Sequence, residues 1–292
     1  MYRKLPLAVF VMVLAGLLAV APCRAEKPLV RFGATLYSQP ITMFERYQPL
    51  MDYLTENTPY RFELVLGEDY LETARLLKEG KVEIAAVGDG GLAKAVLGYG
   101  MVPIVKPRND KGRPVYRSCL VVPVDSPIRS VRDLRGKRVA FAYRHSISGN
   151  LFAWKLLSQY GMKGSDFSDM ETHKTHGEAL ASVLRGEHDA AFVREATALH
   201  HLKRGVRMIA CSEEIPSVPL LARPATPKEV VAQVTAALLK LDPANPRHRA
   251  VLKSLDREFH NGFVPASRGD YREVLSLYAR KPYGCGMECH RR

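Results

Sequence analysis

Residues 29–88 alternate between two hydrophobic periods. "LVRFGATLY" is a continuous apolar, β-branched run of strand type, and "MFERYQPLMDYLTENT" then sets Phe44, Tyr47, Leu50, Met51 and Leu54 at helical spacing. "RFELVLG" predicts a second strand, "YLETARLLKEG" a helix closed by Gly80, and "VEIAAVG" a third strand. The order β-α-β-α-β is that of a parallel sheet with helices packed on its faces.

A second unit of the same kind begins near "YRSCLVVPVDS". "SVRDLRGKRVAFA" reads as a short helix start and a strand, "GNLFAWKLLSQYG" as a helix ended by Gly161, and "GEALASVLRGEHDAAFV" as a helix and a strand. In "VRMIACSEEIPSVPLLARPAT" the prolines are expected to break regular structure, and "PKEVVAQVTAALLKL" follows as an amphipathic helix. Two α/β lobes are the simplest arrangement, with the chain crossing near Arg117 and returning near Cys211. That assigns 26–116 and 210–280 to one lobe and 117–209 to the other.

Residues 1–25 carry a different pattern. Arg3 and Lys4 precede the uncharged run "LPLAVFVMVLAGLLAVAP", and the small residues Cys23 and Ala25 allow cleavage before Glu26, the grammar of a secretory signal peptide. A retained membrane anchor is the competing reading, since the run approaches the roughly 20 residues that span a bilayer. Beyond it no long apolar run occurs, so no stable membrane span is expected after export. The chain's net charge is +13, to which Arg3, Lys4 and Arg24 contribute in the leader. The remaining surplus is scattered, which disfavours nucleic acid and favours a small anionic ligand, a membrane surface or an acidic partner.

Four cysteines follow the leader: Cys119, Cys211, Cys285 and Cys289. Outside the cytoplasm paired cysteines oxidise or carry cofactors. Cys119 and Cys211 lie in two strand-like runs, where they either face each other as a disulfide or stay buried as free thiols.

Three loops at predicted strand ends could hold an anion. In "AYRHSISGNLFAWKLL", Ser146, Ser148 and Gly149 lead into a helix, whose free N–H groups and serine hydroxyls suit an oxyanion; helix capping by Ser148 would explain the loop without a ligand. "VGDGGLAKA" brings Gly88, Gly90 and Gly91 together with Asp89. "THKTHGEAL" places His173 and His176 at a helix start, where His176 can donate to an oxyanion. No nucleophile elbow, P-loop or His-x-x-x-His pattern is present, so binding without catalysis is expected.

In order and spacing, "GKVEIAAVGDGGLAKA", "VYRSCLVVPVDSPIRSVRDLRGKRVAFAYRHSISGNL", "THGEALASVLRGEHDAAFV" and "CSEEIPSVPLLAR" resemble the phosphate/phosphite/phosphonate-binding periplasmic proteins of ABC transporters. The resemblance spans roughly residues 29–278. It implies a type II periplasmic binding fold, two α/β lobes joined by a two-strand hinge that close on a ligand, with an ABC permease or a periplasmic sensor as partner. It also implies ligand contacts from Ser146, Ser148, Gly149 and His176, and from Tyr37 and Glu195 near further contact positions. Three departures bear on the ligand: Ile147 replaces a central hydroxyl residue, Leu92 stands where the family carries tyrosine, and Asp89 brings a carboxylate toward the anion. Fewer donors and an added negative charge predict weak phosphonate binding.

The C-terminal "YGCGMECHRR" adds an appendage to that fold. Cys285, Cys289 and His290 form Cys-x-x-x-Cys-His, one residue longer than the usual c-type haem attachment, with His290 as the candidate iron ligand. A covalent haem c would make the chain a monohaem redox or redox-sensing protein on the same fold. A Cys285–Cys289 disulfide is the rival reading, and zinc lacks an evident fourth ligand.

Overall fold

The computed structural model describes residues 26–280. The leader and the Cys285, Cys289 and His290 motif lie outside the described residues. Two sheets and a short connecting sheet organise the chain as two α/β lobes.

The first lobe opens with β1 (Leu29–Thr35), α1 (Pro40–Asn57), β2 (Arg61–Gly67), α2 (Tyr70–Glu79) and β3 (Ile84–Ala86). Both β2 and β3 pair parallel to β1, as the alternating pattern requires. Helix α1 starts on Pro40, whose fixed φ suits a first helical position, and buries Met43, Tyr47, Leu50, Met51 and Leu54. Phe44, expected on that seam, is 43% exposed, because Met43 fills the position facing the sheet. Asp69 caps α2 by accepting from the Leu71 and Glu72 N–H groups, and Gly80 ends it in the left-handed region at φ 71°. Helix α3 (Gly88–Ala93) then runs into a π-helical turn, Lys94–Gly98, before β4 (Val102–Pro107).

After β5 (Val115–Tyr116) the chain enters the second lobe. It comprises β6 (Ser118–Pro123), β7 (Arg138–Phe141), a π-helical turn over Ile147–Leu151, α4 (Phe152–Gln159), β8 (Asp169–Thr172), α5 (His176–Leu184), β9 (Ala190–Arg194), α6 (Glu195–His201) and β10 (Val206–Cys211). The strand order is β10-β6-β9-β7-β8, with β7 parallel to both β8 and β9. Cys119 and Cys211 stand opposite each other on β6 and β10 and form a disulfide, which decides between the two sequence readings. It joins the strand by which the chain enters this lobe to the strand by which it leaves.

The return passes through β11 (Ile215–Pro216), paired with β5 in a two-stranded sheet between the lobes, and β12 (Leu220–Ala222). The proline-rich stretch expected to be irregular therefore contains three strand segments. Pro216 is tolerated because this connecting sheet has only two strands, so every strand has a free edge for a residue with no N–H. Helices α7 (Lys228–Leu239) and α8 (Pro246–Ser254), strand β13 (Phe263–Pro265) and α9 (Arg272–Ala279) complete the first lobe, whose sheet runs β13-β4-β12-β3-β1-β2. One apolar cluster crosses between lobes: Ile147 and Phe152 of the second pack with Leu92 and Tyr271 of the first. Among the described residues no helix is long and apolar enough to cross a membrane.

Candidate functional site

Strands β3, β7, β8 and β9 all deliver their carboxyl ends to one point between the lobes. From β3 comes Gly88, at φ 63°, whose missing side chain admits the Tyr70 ring, and then Asp89 at the start of α3. After β7 the chain turns through Ser146, which caps the π-helical turn by accepting from the Gly149 N–H at 2.8 Å. The cap is thus Ser146 rather than Ser148. A Cβ on Gly149 would meet Ala142 Cβ at 2.4 Å and His176 Cε1 at 2.9 Å, so only glycine lets the loop lie against α5.

The centre of this constellation is one oxygen of Asp89, a residue only 1% exposed. Asp89 Oδ2 accepts from Ser146 Oγ at 3.0 Å, from Ser148 Oγ at 2.8 Å and from the Ser148 N–H at 3.3 Å. Arg194 Nη2 stands 3.4 Å from the same oxygen and His176 Nε2 3.9 Å. The Tyr116 hydroxyl also points at it, at 3.5 Å. Asp89 belongs to the first lobe, and the serines, Arg194 and His176 to the second. The carboxylate is therefore held across the cleft, in the loop where the sequence placed a ligand's oxygens.

The protonation states follow from the contacts. Burial pulls the Asp89 pKa up, but Arg194, His176 and the hydrogen bonds from Ser148 outweigh it and hold the value at about 2. His176 Nδ1 accepts from the Arg194 backbone N–H at 3.1 Å, which leaves the ring proton on Nε2, facing Ser146 Oγ at 3.4 Å. Burial, reinforced by Arg194 and opposed by Asp89, lowers the His176 pKa to about 4, so the ring is a neutral donor. Arg194 also pairs through Nη1 with Glu258 of the first lobe and lies over the Tyr116 ring at 5.3 Å. Burial pushes the Glu258 carboxyl above its ordinary value against the pull of Arg194.

These shifts fix the pH response. A histidine that folding keeps neutral is protonated more readily in the unfolded chain, so stability falls as pH drops from about 6.5 toward about 4. The Asp89 contribution persists until pH falls below its ordinary 3.8 and is lost toward about 2. Urea unfolding at a series of pH values should show His176→Gln losing about 2–3 kcal/mol less than wild type between pH 7 and pH 4. Equal losses in the two proteins would refute a neutral buried His176.

Beside the carboxylate a cavity of about 420 Å³ opens between the lobes, lined by Tyr37, Tyr47, Tyr70, His176, Arg194 and Glu258 among others. Tyr37 stands at its far side, where its hydroxyl donates to Asp256, which Arg46 also engages at 2.7 Å. Of the residues expected at the site, Ser146, Ser148, Gly149, His176 and Asp89 converge, and Tyr37 lines the adjoining cavity. Glu195 is not among the residues that converge on Asp89: it begins α6, its N–H donates to Arg117 O at 2.9 Å, and it lines a smaller hollow of about 90 Å³ that shares Arg194 and Glu258 with the larger cavity. Ile147 and Leu92 are both buried in the interlobe apolar cluster. Arg194 was not anticipated. Its one sequence signal is a cation directly after the buried strand run "AAFV", at a strand's carboxyl end.

Residues 32–271 match the family model "ABC transporter, phosphonate, periplasmic substrate-binding protein". The chain belongs to this family. Its fold is similar to that of a binding protein component of an ABC phosphonate transporter from Pseudomonas aeruginosa, with TM-score 0.73, 19% identity, and 87% and 86% of the two chains covered. It is similar also to PhnD1 from Prochlorococcus marinus in complex with methylphosphonate, with TM-score 0.75, 16% identity, and 87% and 98% covered. An Escherichia coli relative named for binding aliphatic sulfonates is 29% identical over 186 residues, covering 61% of this chain. That match spans about half, 54%, of the relative's length.

Proposed function

We propose that this family member captures a small oxyanion of the phosphonate, phosphate or phosphite type between its lobes and presents it to an ABC permease. The observation that carries the reading is the convergence of two serine hydroxyls, a backbone N–H, an arginine and a neutral histidine N–H on one anionic oxygen. Such donors are the chemistry of a tetrahedral oxyanion site, and here Asp89 Oδ2 occupies the focus. Asp89 acts as an internal stand-in that a ligand must displace, and the adjoining cavity gives the ligand's substituent room. The names of the relatives, with phosphonate, methylphosphonate and sulfonate among them, support the same ligand class.

On this reading 26–116 with the return segment to 280 forms one moving body and 117–209 the other, the boundary expected at 210 shifting to just after Cys211 because β10 and its disulfide belong to the second lobe, with β5 and β11 as the hinge. The protein is exported and releases its ligand unchanged. The test is calorimetric titration with methylphosphonate, phosphite, phosphate and an alkanesulfonate. Saturable one-to-one binding of at least one, weakened by Ser148→Ala, is expected; no response to any member, in wild type and in Asp89→Ala alike, rejects the proposal.

A further inference from the structure

We propose that Glu171, His173 and His188 form a site for one divalent transition-metal ion of the zinc class at the edge strand of the second sheet. Glu171 lies on β8, and His173 extends that strand's ladder by one residue, its N–H donating to Phe141 O at 2.9 Å. Residues two apart on an extended chain project from one face, so the two side chains rise together. The chain then runs through α5 and turns back, and His188, in the turn before β9, comes to the same face. One ligand atom from each of the three lies within 4.8 Å of the others.

The hydrogen bonds around His188 decide what its ring presents. His188 is 3% exposed, and its Nδ1 lies 3.0 Å from Ser182 Oγ. The Ser182 hydroxyl already donates its single proton to Ala179 O at 2.8 Å. With that proton committed to Ala179 O, Nδ1 is the donor and the lone pair is left on Nε2. That Nε2 is buried, has no hydrogen-bond partner, and stands 3.7 Å from Glu171 Oε2. A buried lone pair aimed at a carboxylate is unfavourable unless a cation lies between them. His173 Nε2 is likewise buried without a partner, and the two rings meet edge-on with centroids 5.3 Å apart.

Metal geometry resolves the arrangement. Ligand bonds of about 2.1 Å at tetrahedral angles place ligand atoms about 3.4 Å apart, close to the Glu171–His188 separation. The Glu171 side chain is 57% exposed, so it can rotate to close the set, and it leaves a path for the ion to enter. Two imidazoles and one carboxylate select zinc, copper, nickel or cobalt over magnesium or calcium, and a fourth position remains for water. Ser182 is the positioning residue that fixes the His188 tautomer.

The experiment uses the exported full chain carrying Cys285→Ser and Cys289→Ser, so that tail thiols cannot bind metal. Metal-stripped protein is titrated calorimetrically with Zn²⁺. One equivalent at micromolar affinity or tighter is expected, together with a raised melting temperature. Glu171→Gln and His188→Ala should each abolish that equivalent, and Ser182→Ala should weaken it about 10- to 100-fold. Glu171→Gln alters a largely exposed side chain, so the test stands even if His188→Ala fails to fold. Co²⁺ bound in place of zinc should show d–d bands. No zinc binding, or a stoichiometric equivalent that survives both ligand variants, overturns the site.

Discussion

Asp89→Ala is expected to tighten methylphosphonate or phosphate binding by about 100- to 1,000-fold. In the wild-type protein an entering anion meets a carboxylate already held by the serine loop and Arg194, ionised because its pKa is held at about 2. Two like charges about 4 Å apart at an effective dielectric near 20 repel by about 4 kcal/mol, which is close to three orders of magnitude in affinity. Alanine removes that charge and empties the focus of the donors. Asp89→Asn, which keeps the size and loses the charge, should give a smaller gain, since the amide still fills the space.

The same substitution carries a structural signature. Asp89 ties the first lobe to Ser146, Ser148 and Arg194 of the second, so it closes the cleft from within. Asp89→Ala should expand the ligand-free protein in X-ray scattering, and added phosphate should restore the compact form. An alanine variant that binds no oxyanion and stays compact would show that the serine loop merely satisfies a structural carboxylate.

Much of this arrangement is legible in the amino-acid sequence, and the missing part has a physical reason. The alternation of strand and helix periods through residues 29–86 predicts a parallel sheet, and in the fold β2 and β3 both pair parallel to β1. The Ser-Ile-Ser-Gly loop and His176 stood at strand ends, where ligand loops belong. What one-dimensional pattern could not reveal was pairing at long range. Asp89 meets its serine donors across 57 and 59 residues, and Arg194 meets Glu258 across 64. An arginine following an apolar strand looks like an ordinary solvated strand end, and only the fold shows two carboxylates closing on it. Likewise the departures Ile147 and Leu92 read in sequence only as missing donors, and the fold adds that both belong to one interlobe apolar cluster. The short strands β11 and β12 hold two and three residues, too few to display a period.

Arg194→Met should cost about 3–5 kcal/mol of stability at pH 7, the scale of removing one partner from a buried ion pair. The guanidinium serves two carboxylates at once, Asp89 through Nη2 and Glu258 through Nη1, and its side chain is 15% exposed. Methionine has similar length but leaves both acids without a cation. The folded-state pKa of Asp89 then rises above its unfolded value and that of Glu258, already raised by burial, rises further, so the variant binds protons on folding and recovers stability as pH falls. Wild type moves the other way over the same range, because His176 is held neutral. The stability gap between the two proteins should therefore narrow steadily from pH 7 to pH 5 in urea titrations. Combining Arg194→Met with Glu258→Gln should restore part of the loss at pH 7, since one of the two stranded charges is gone. Arg194→Lys, with one compact ammonium in place of the fork, cannot reach both carboxylates and should fall between the two. A gap below about 1 kcal/mol at pH 7, the level of an exposed pair, or one that does not change with pH, would mean that Arg194 is not the cation holding these two acids in place.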